Sequence, residues 1–238
     1  MGRIGGYVAA HNNPLFLRLT LLQILAQTVK PHVVAVHQNN HYTDYLWAVE
    51  DLIPVAQVQG IQVINIHNPQ APRPREWFAV PIRRLLDEGC DYFFKFDHDD
   101  IYYSNHVARL LEFLTAGYDY VINKVVGKLV LAPGKPYDYD PHCDFGQIHS
   151  PGGMSGSVAF SRRFAIQNLR DLESETSGMD WEDNITTQKT LPDFAGNIMR
   201  LTDRKPTTCY VAYGGNASSA HWACFEWCKQ NRHLFAEG

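Results

Sequence analysis

Three carboxylates stand within four residues at Asp97-His98-Asp99-Asp100, directly after the apolar run Tyr92-Phe93-Phe94. Carboxylates this close repel one another unless solvent or a cation compensates. A divalent metal is the simplest compensation, and hard oxygen ligands suit magnesium or manganese held jointly with substrate phosphates. The plainer alternative is a solvated loop in which Asp100 or Ser104 caps the next helix. A second acidic pair lies in Trp181-Glu182-Asp183-Asn184, at a predicted helix start where the positive end of the dipole favours ionised carboxylates. An Asp there either caps the helix or, within reach of a substrate hydroxyl, serves as a general base.

Two further segments have the make-up of ligand-contacting loops. Gly152-Gly153-Met154-Ser155-Gly156-Ser157 lets backbone approach a ligand closely before an apolar run begins. His221 follows Gly214-Gly215-Asn216-Ala217-Ser218-Ser219, a stretch able to move as a lid, and imidazole is an ordinary manganese or zinc ligand. His221, Cys224, Cys228 and His233 also permit a zinc reading, although cysteines at i and i+4, as Cys224 and Cys228 are, more often mark a buried helix face.

The elements that must position these groups follow from hydrophobic periodicity. Apolar runs at Ile4–Ala10, Val33–His37, Ile61–Ile66 and Asp91–Phe96 alternate with helical patterns, which predicts an α/β fold with a largely parallel sheet. Pro14 fits a first helical turn, and Leu15, Leu19, Leu22, Ala26 and Val29 predict the face that packs on the sheet, with Thr20, Gln23 and Gln27 on another stripe. Helices are also expected at Thr43–Leu52, Ala79–Glu88, Asn105–Leu114, from Trp181 and over Trp222–Leu234. Strands are expected at Tyr120–Ile122, Gly127–Leu131, Ser157–Phe160 and around Ile198 and Tyr210, with mixed topology in this second half. Open α/β sheets bind ligands at the carboxyl ends of their strands. Those ends are polar here: His11-Asn12-Asn13, Gln38-Asn39-Asn40, His67-Asn68 and the acidic turn.

Composition narrows the function classes. The 238 residues, 45% hydrophobic and 19% charged, suffice for a packed core, and a formal charge of −4 argues against nucleic acid as a partner. The longest apolar stretch, Leu15 to Val29, is short for a membrane span and carries Arg18, Gln23 and Gln27. Five scattered cysteines predict reduced thiols without a disulfide, and the absence of a recognisable export signal predicts a cytoplasmic protein.

In order, these pieces resemble the family 2 inverting glycosyltransferases of the GT-A fold, over nearly the whole chain. Val8-Ala9-Ala10-His11-Asn12-Asn13 is similar to that family's first strand and nucleotide loop, and Leu22-Gln23-Ile24-Leu25-Ala26-Gln27-Thr28 to the following helix. Phe96-Asp97-His98-Asp99-Asp100 resembles its D-x-D-D signature and Trp181-Glu182-Asp183 its E-D motif. Gly152-Gly153-Met154-Ser155 together with Trp181-Glu182-Asp183 is also similar to β-1,4-galactosyltransferases.

The resemblance implies a single GT-A domain over 1–238, its Rossmann-like half (1–100) binding nucleotide and its other half (101–238) holding acceptor and base. It implies a nucleotide diphosphate-sugar donor, uridine being the leading guess, a glycan or other hydroxyl acceptor, and Mn2+ or Mg2+. Asp99 would bind the metal with His221, and Asp183 would be the base. His11, Asn12, Asp97, Gly153 and Glu182 would line the donor site, and Arg75, ahead of Arg73 and Arg83, would meet its phosphates. One departure is visible: His37-Gln38-Asn39-Asn40 stands where the family carries an Asp-Asp pair, leaving Gln38 to pair with a base edge.

Two alternatives share these features. A nucleotidyltransferase has a related fold but opens on a G-x-G-T-R-like loop, which Gly5-Gly6-Tyr7 lacks. A non-catalytic relative would bind nucleotide-sugar or glycan without turnover, and the presence of Asp99 and Asp183 argues against it. His98-Asp99 is no HD-type phosphohydrolase pair, since that chemistry needs its ligands on helices and these follow a strand.

Overall fold

The computed structural model describes residues 2–11, 13–39, 46–68, 73–130, 146–149, 157–177, 182–202 and 207–212, with backbone alone for 125–130, 146–149, 183–184 and 209–212. Asn12, the Gly153 segment, Trp181, His221 with its neighbouring cysteines, and the expected helix at 222–234 lie outside the described residues.

The four early apolar runs become strands β1 (Ile4–Ala10), β2 (Val33–Gln38), β3 (Gln62–His67) and β4 (Tyr92–Asp97). Later strands are β5 (Ile101–Tyr102), β6 (Tyr120–Asn123), β7 (Val125–Val130), β8 (Gly146–His149), β9 (Val158–Ser161), β10 (Ile198–Leu201) and β11 (Thr208–Ala212). Seven of them form one sheet in the order β10-β6-β9-β4-β1-β2-β3, in which β9 alone runs antiparallel to its neighbours. A second sheet, β5-β11-β7-β8, is mixed. This is the expected α/β architecture, parallel first and mixed later. Because β9 is reversed, it starts at the edge where β4 and β6 end, and the Ser157 hydroxyl there donates to the Asn123 carbonyl at 2.7 Å.

Helices cover both faces of the large sheet. Alternation along β4 sends Phe94 and Phe96 into one core with α1 (Pro14–Leu25) and α5 (His106–Thr115). Phe93 goes to the other, with α4 (Pro74–Asp87) and α6 (Arg162–Ser174). Gly6 of β1 has a packing role: a Cβ there would lie 3.1 Å from the Phe96 ring.

Several elements depart from expectation for identifiable reasons. Asn13 caps α1 and Pro14 opens it, but its buried face is Leu17, Thr20, Leu21 and Ile24, whereas Leu15, Leu19 and Leu22 are exposed. The helix is apolar nearly all round, and the polar stripe decides its orientation, because Thr20, Gln23 and Gln27 hydrogen-bond the chain beneath them. Of the helix expected at Thr43–Leu52, the described residues hold α2 (Trp47–Glu50), and a second short helix, α3 (Ile53–Val58), follows it with Pro54 in its first turn.

Helix α4 begins at Pro74, earlier than expected, and runs through Pro81. Proline deprives the carbonyl four residues back of its donor. That carbonyl belongs to Trp77, and the His37 Nδ1–H donates to it at 3.0 Å. Helix α6 has no counterpart in the expectations. Ser161 caps it by accepting from the Phe164 amide, and the buried Asn168 amide ties it to Thr186 and Thr190 at 2.9 and 3.1 Å. Those threonines sit in a π-helical turn (Thr186–Thr190) that joins α7 (Glu182–Ile185) to α8 (Leu191–Asp193).

Phe160 stacks on Phe93 at 5.6 Å and meets Tyr120 and Phe164 in the same core. Phe160→Ala is expected to lower unfolding free energy by about 3–5 kcal/mol, measured by urea denaturation.

Candidate active site

Parallel register gathers the polar strand ends along one edge. Ala10 pairs with Gln38, Gln38 with His67, and Ala9 with Asp97, so His11, Asn39, His67 and the acidic turn emerge side by side. The first turn of α4 closes over this edge. The Trp77 ring stacks on His11 at 5.2 Å and 10°, and the His11 Nδ1–H donates to the Asn39 carbonyl at 2.7 Å. With its amide suitably oriented, Asn39 donates to the Asn68 carbonyl at 3.2 Å and accepts from the Trp77 indole at 2.6 Å. Below them His37 is fully buried, and its imidazole pKa is lowered chiefly by burial, with nearby His67 adding to the effect against the Trp77 carbonyl.

The acidic turn is held from behind. The Asp97 amide donates to the Tyr102 hydroxyl at 2.5 Å, the Thr20 hydroxyl donates to the His98 carbonyl at 3.0 Å, and the Tyr102 amide donates to Gln23 at 2.6 Å. Burial raises the Tyr102 pKa well above its ordinary value, and the negative charges of Asp97, Asp100 and Asp99 raise it further, so the phenol stays neutral. Asp100 is buried, while Asp97 and Asp99 are half-buried. Among the described residues no three His, Cys, Asp or Glu side chains gather to hold an ion by themselves. One or two half-exposed carboxylates are nonetheless a donor set that suits magnesium or manganese, whose remaining positions water and phosphate oxygens fill.

The central contact was not foreseen. Lys95, one residue before Phe96 on β4, is 1% exposed, and its Nζ lies 2.8 Å from Glu182 Oε2 and 3.4 Å from Asp97 Oδ1. It also sits over the Phe78 ring at 4.8 Å. Tyr7, the register partner of Lys95 on β1, donates its hydroxyl to Glu182 Oε1 at 2.7 Å. The first residue of α7 is thereby fastened to the sheet beside the acidic turn. One signal was present in the sequence: a lysine inside Tyr92-Phe93-Phe94-Lys95-Phe96 must find carboxylates if the strand is central.

Glu182 is 3% exposed, with both oxygens engaged inside the fold rather than at the edge. Gln38 is also buried, and its amide donates to Asn65 on β3 at 2.9 Å instead of facing outward. Asp183 follows Glu182 within α7, and its side chain lies outside the described residues. Arg75 is in the first turn of α4, half-buried, on a groove that Glu76 and Leu172 also line. Arg73 precedes it at the helix cap, whereas Arg83 is two turns further along and pairs with Glu173.

No family model matches the sequence, and no curated protein matches it either. Solved structures do. A crystal structure of S. aureus TarS residues 1–349 superposes with a TM-score of 0.62 at 14% identity, covering 99% of this chain and 72% of that one. The same fragment in complex with UDP-GlcNAc gives 0.61 at 14% identity, covering 96% and 65%. A further TarS crystal structure gives 0.59 at 14% identity, covering 98% of this chain and 43% of that one. The fold is of the GT-A type. At this identity the likeness speaks for fold alone. No helix among the described residues is long and apolar enough to cross a membrane.

Behind the acidic turn, His106 packs edge-on against Phe96 and Tyr102, and its Nδ1 meets the Thr207 hydroxyl at 3.1 Å. Burial pushes its pKa down from 6.5 to about 3. The unfolded chain therefore takes up a proton that the folded chain refuses, and the stability present above pH 6.5 is lost as pH falls towards 3. Between about pH 6 and 4 this contributes a slope of about 1.4 kcal/mol per pH unit, and His106→Gln is expected to remove it from the urea-unfolding profile.

Proposed function

We propose that the protein is a glycosyltransferase that moves a sugar from a nucleotide diphosphate-sugar, a UDP-sugar in the first instance, to a hydroxyl of a glycan or glycoconjugate. The observation that carries the reading is the buried junction at Lys95, which ties Asp97, at the end of β4, to the first residue of the helix bearing Asp183. The fold supports it, since TarS, to which the chain is similar, has been crystallised with UDP-GlcNAc.

In this reading His11 and Trp77 form the rim over the nucleoside side of the edge, and Arg75 faces the phosphates from the first turn of α4. Asp99, with His221 as the expected second ligand, would hold a Mn2+ or Mg2+ ion, and Asp97 would contact the donor's ribose or sugar. The ion, when bound, would supply positive charge against the negative charge developing on the departing diphosphate. Asp183 accepts the proton of the acceptor hydroxyl as its oxygen attacks the anomeric carbon in line with the leaving group, so configuration inverts. Glu182, buried and tied to Lys95 and Tyr7, fixes the helix from which Asp183 acts.

Turnover of a nucleotide-sugar panel with manganese tests the assignment. Asp183→Asn is expected to bind donor as the parent does and to lose about 10²–10⁴-fold in kcat, the range of a general base. Undiminished turnover in that variant refutes the base. Asp99→Ala is expected to weaken manganese-dependent donor binding by roughly 100-fold, as loss of several kcal/mol of charge stabilisation implies. Donor binding indifferent both to this change and to chelator refutes the metal.

A further inference from the structure

Nothing in the proposed chemistry calls for a lysine in the middle of β4, yet one is there, almost entirely out of water and between two carboxylates that come from separate parts of the chain. Asp97 begins the acidic turn and Glu182 begins the helix that carries Asp183. A buried ammonium needs close anions, and each anion in turn is held where the ammonium is. The contact is braced on its other sides by the Phe78 ring of α4 and the Tyr7 hydroxyl of β1, so it rests on the sheet rather than on a loop. We infer that Lys95 is a positioning residue that sets the separation between the metal- and donor-binding turn and the base, acting through Asp97 on one side and Glu182 on the other, with Tyr7 as its accessory.

This rests on the transferase reading for its consequence in rate, but not for its structural content. Changing Lys95 alone leaves the Glu182 charge buried beside an apolar chain and threatens the fold itself. The pair Lys95→Met/Glu182→Gln removes both charges, keeps both shapes and keeps an acceptor for Tyr7. Tyr7→Phe is the milder companion, removing one hydrogen bond.

Each variant is measured for kcat and for donor Kd with UDP-GlcNAc, or with whichever nucleotide-sugar the parent turns over, in manganese, and for amide exchange of Glu182–Ile185. The double variant is expected to lose about 100-fold in kcat, the scale of a misplacement near 1 Å. Its donor Kd should stay within about threefold of the parent, since a loss confined to kcat leaves ground-state binding intact. Exchange over Glu182–Ile185 should rise about tenfold while β1 and β4 amides are unchanged, the mark of a local opening. Tyr7→Phe is expected to move kcat and exchange in the same directions by less.

A kcat within about threefold of the parent overturns the inference. So does a Kd that weakens in proportion to kcat, which would make Lys95 part of the donor pocket, and so does unaltered exchange. If the parent turns over no nucleotide-sugar, the transferase reading falls, and the exchange result alone decides whether Lys95 fastens the helix.

Discussion

A single buried cation organises the edge of the sheet. Removing an ammonium from water costs several kcal/mol unless anions replace its hydration, and Lys95 is 1% exposed in a strand flanked by hydrogen-bonded neighbours on both sides. The chain therefore has to deliver carboxylates to that spot. Asp97 does so locally, two residues along the same face of β4, and Glu182 does so from far away in sequence. Ion pairs of this kind add little net stability against an apolar alternative, but they tolerate few other arrangements. The contact is local and ties the first residue of α7 to the middle of β4.

The opposite side of the acidic turn is secured by neutral polar groups. Helix α1 turns Thr20 and Gln23 inward and Gln27 follows just past its end, and the three bond the chain from His98 to Val107. A turn carrying three carboxylates is under internal repulsion, and its backbone is held by bonds that do not titrate. The neutral phenol of Tyr102 and the neutral imidazole of His106 complete that backing. Rigidity of the turn and openness of its side chains thus come from different residues.

What could be read from the residues alone divides along the range of the interactions. Strands β1 to β4 were legible because each is a mainly apolar run with a polar end, and parallel pairing then forces the ends together. The start of α1 was legible from Asn13 and Pro14. Its orientation was not, because leucines occur on every side and the deciding bonds run to residues some eighty positions away. Helix α6 escaped notice because its apolar anchors, Phe164, Ala165 and Leu172, are sparse among arginines and polar residues, and buried Asn168 and Asp171 look like surface. The distant partner of Lys95, Glu182, was hidden for the same reason, as was its bond to Tyr7 across 175 positions. Periodicity reports what an element buries, not which distant group it must satisfy.

The reversed strand carries a last implication. Since β6 ends where β9 begins, the excursion between Asn123 and Ser157 leaves and re-enters the sheet at one point, closed by a hydrogen bond across 34 positions of sequence. Closing a loop whose ends already meet depends on its length only logarithmically. Length can accordingly vary on either side of β8, which with β7 is held in the second sheet, at small thermodynamic consequence for β6 and β9, so diversity among descendants of this scaffold should concentrate there while the framework beneath stays constant.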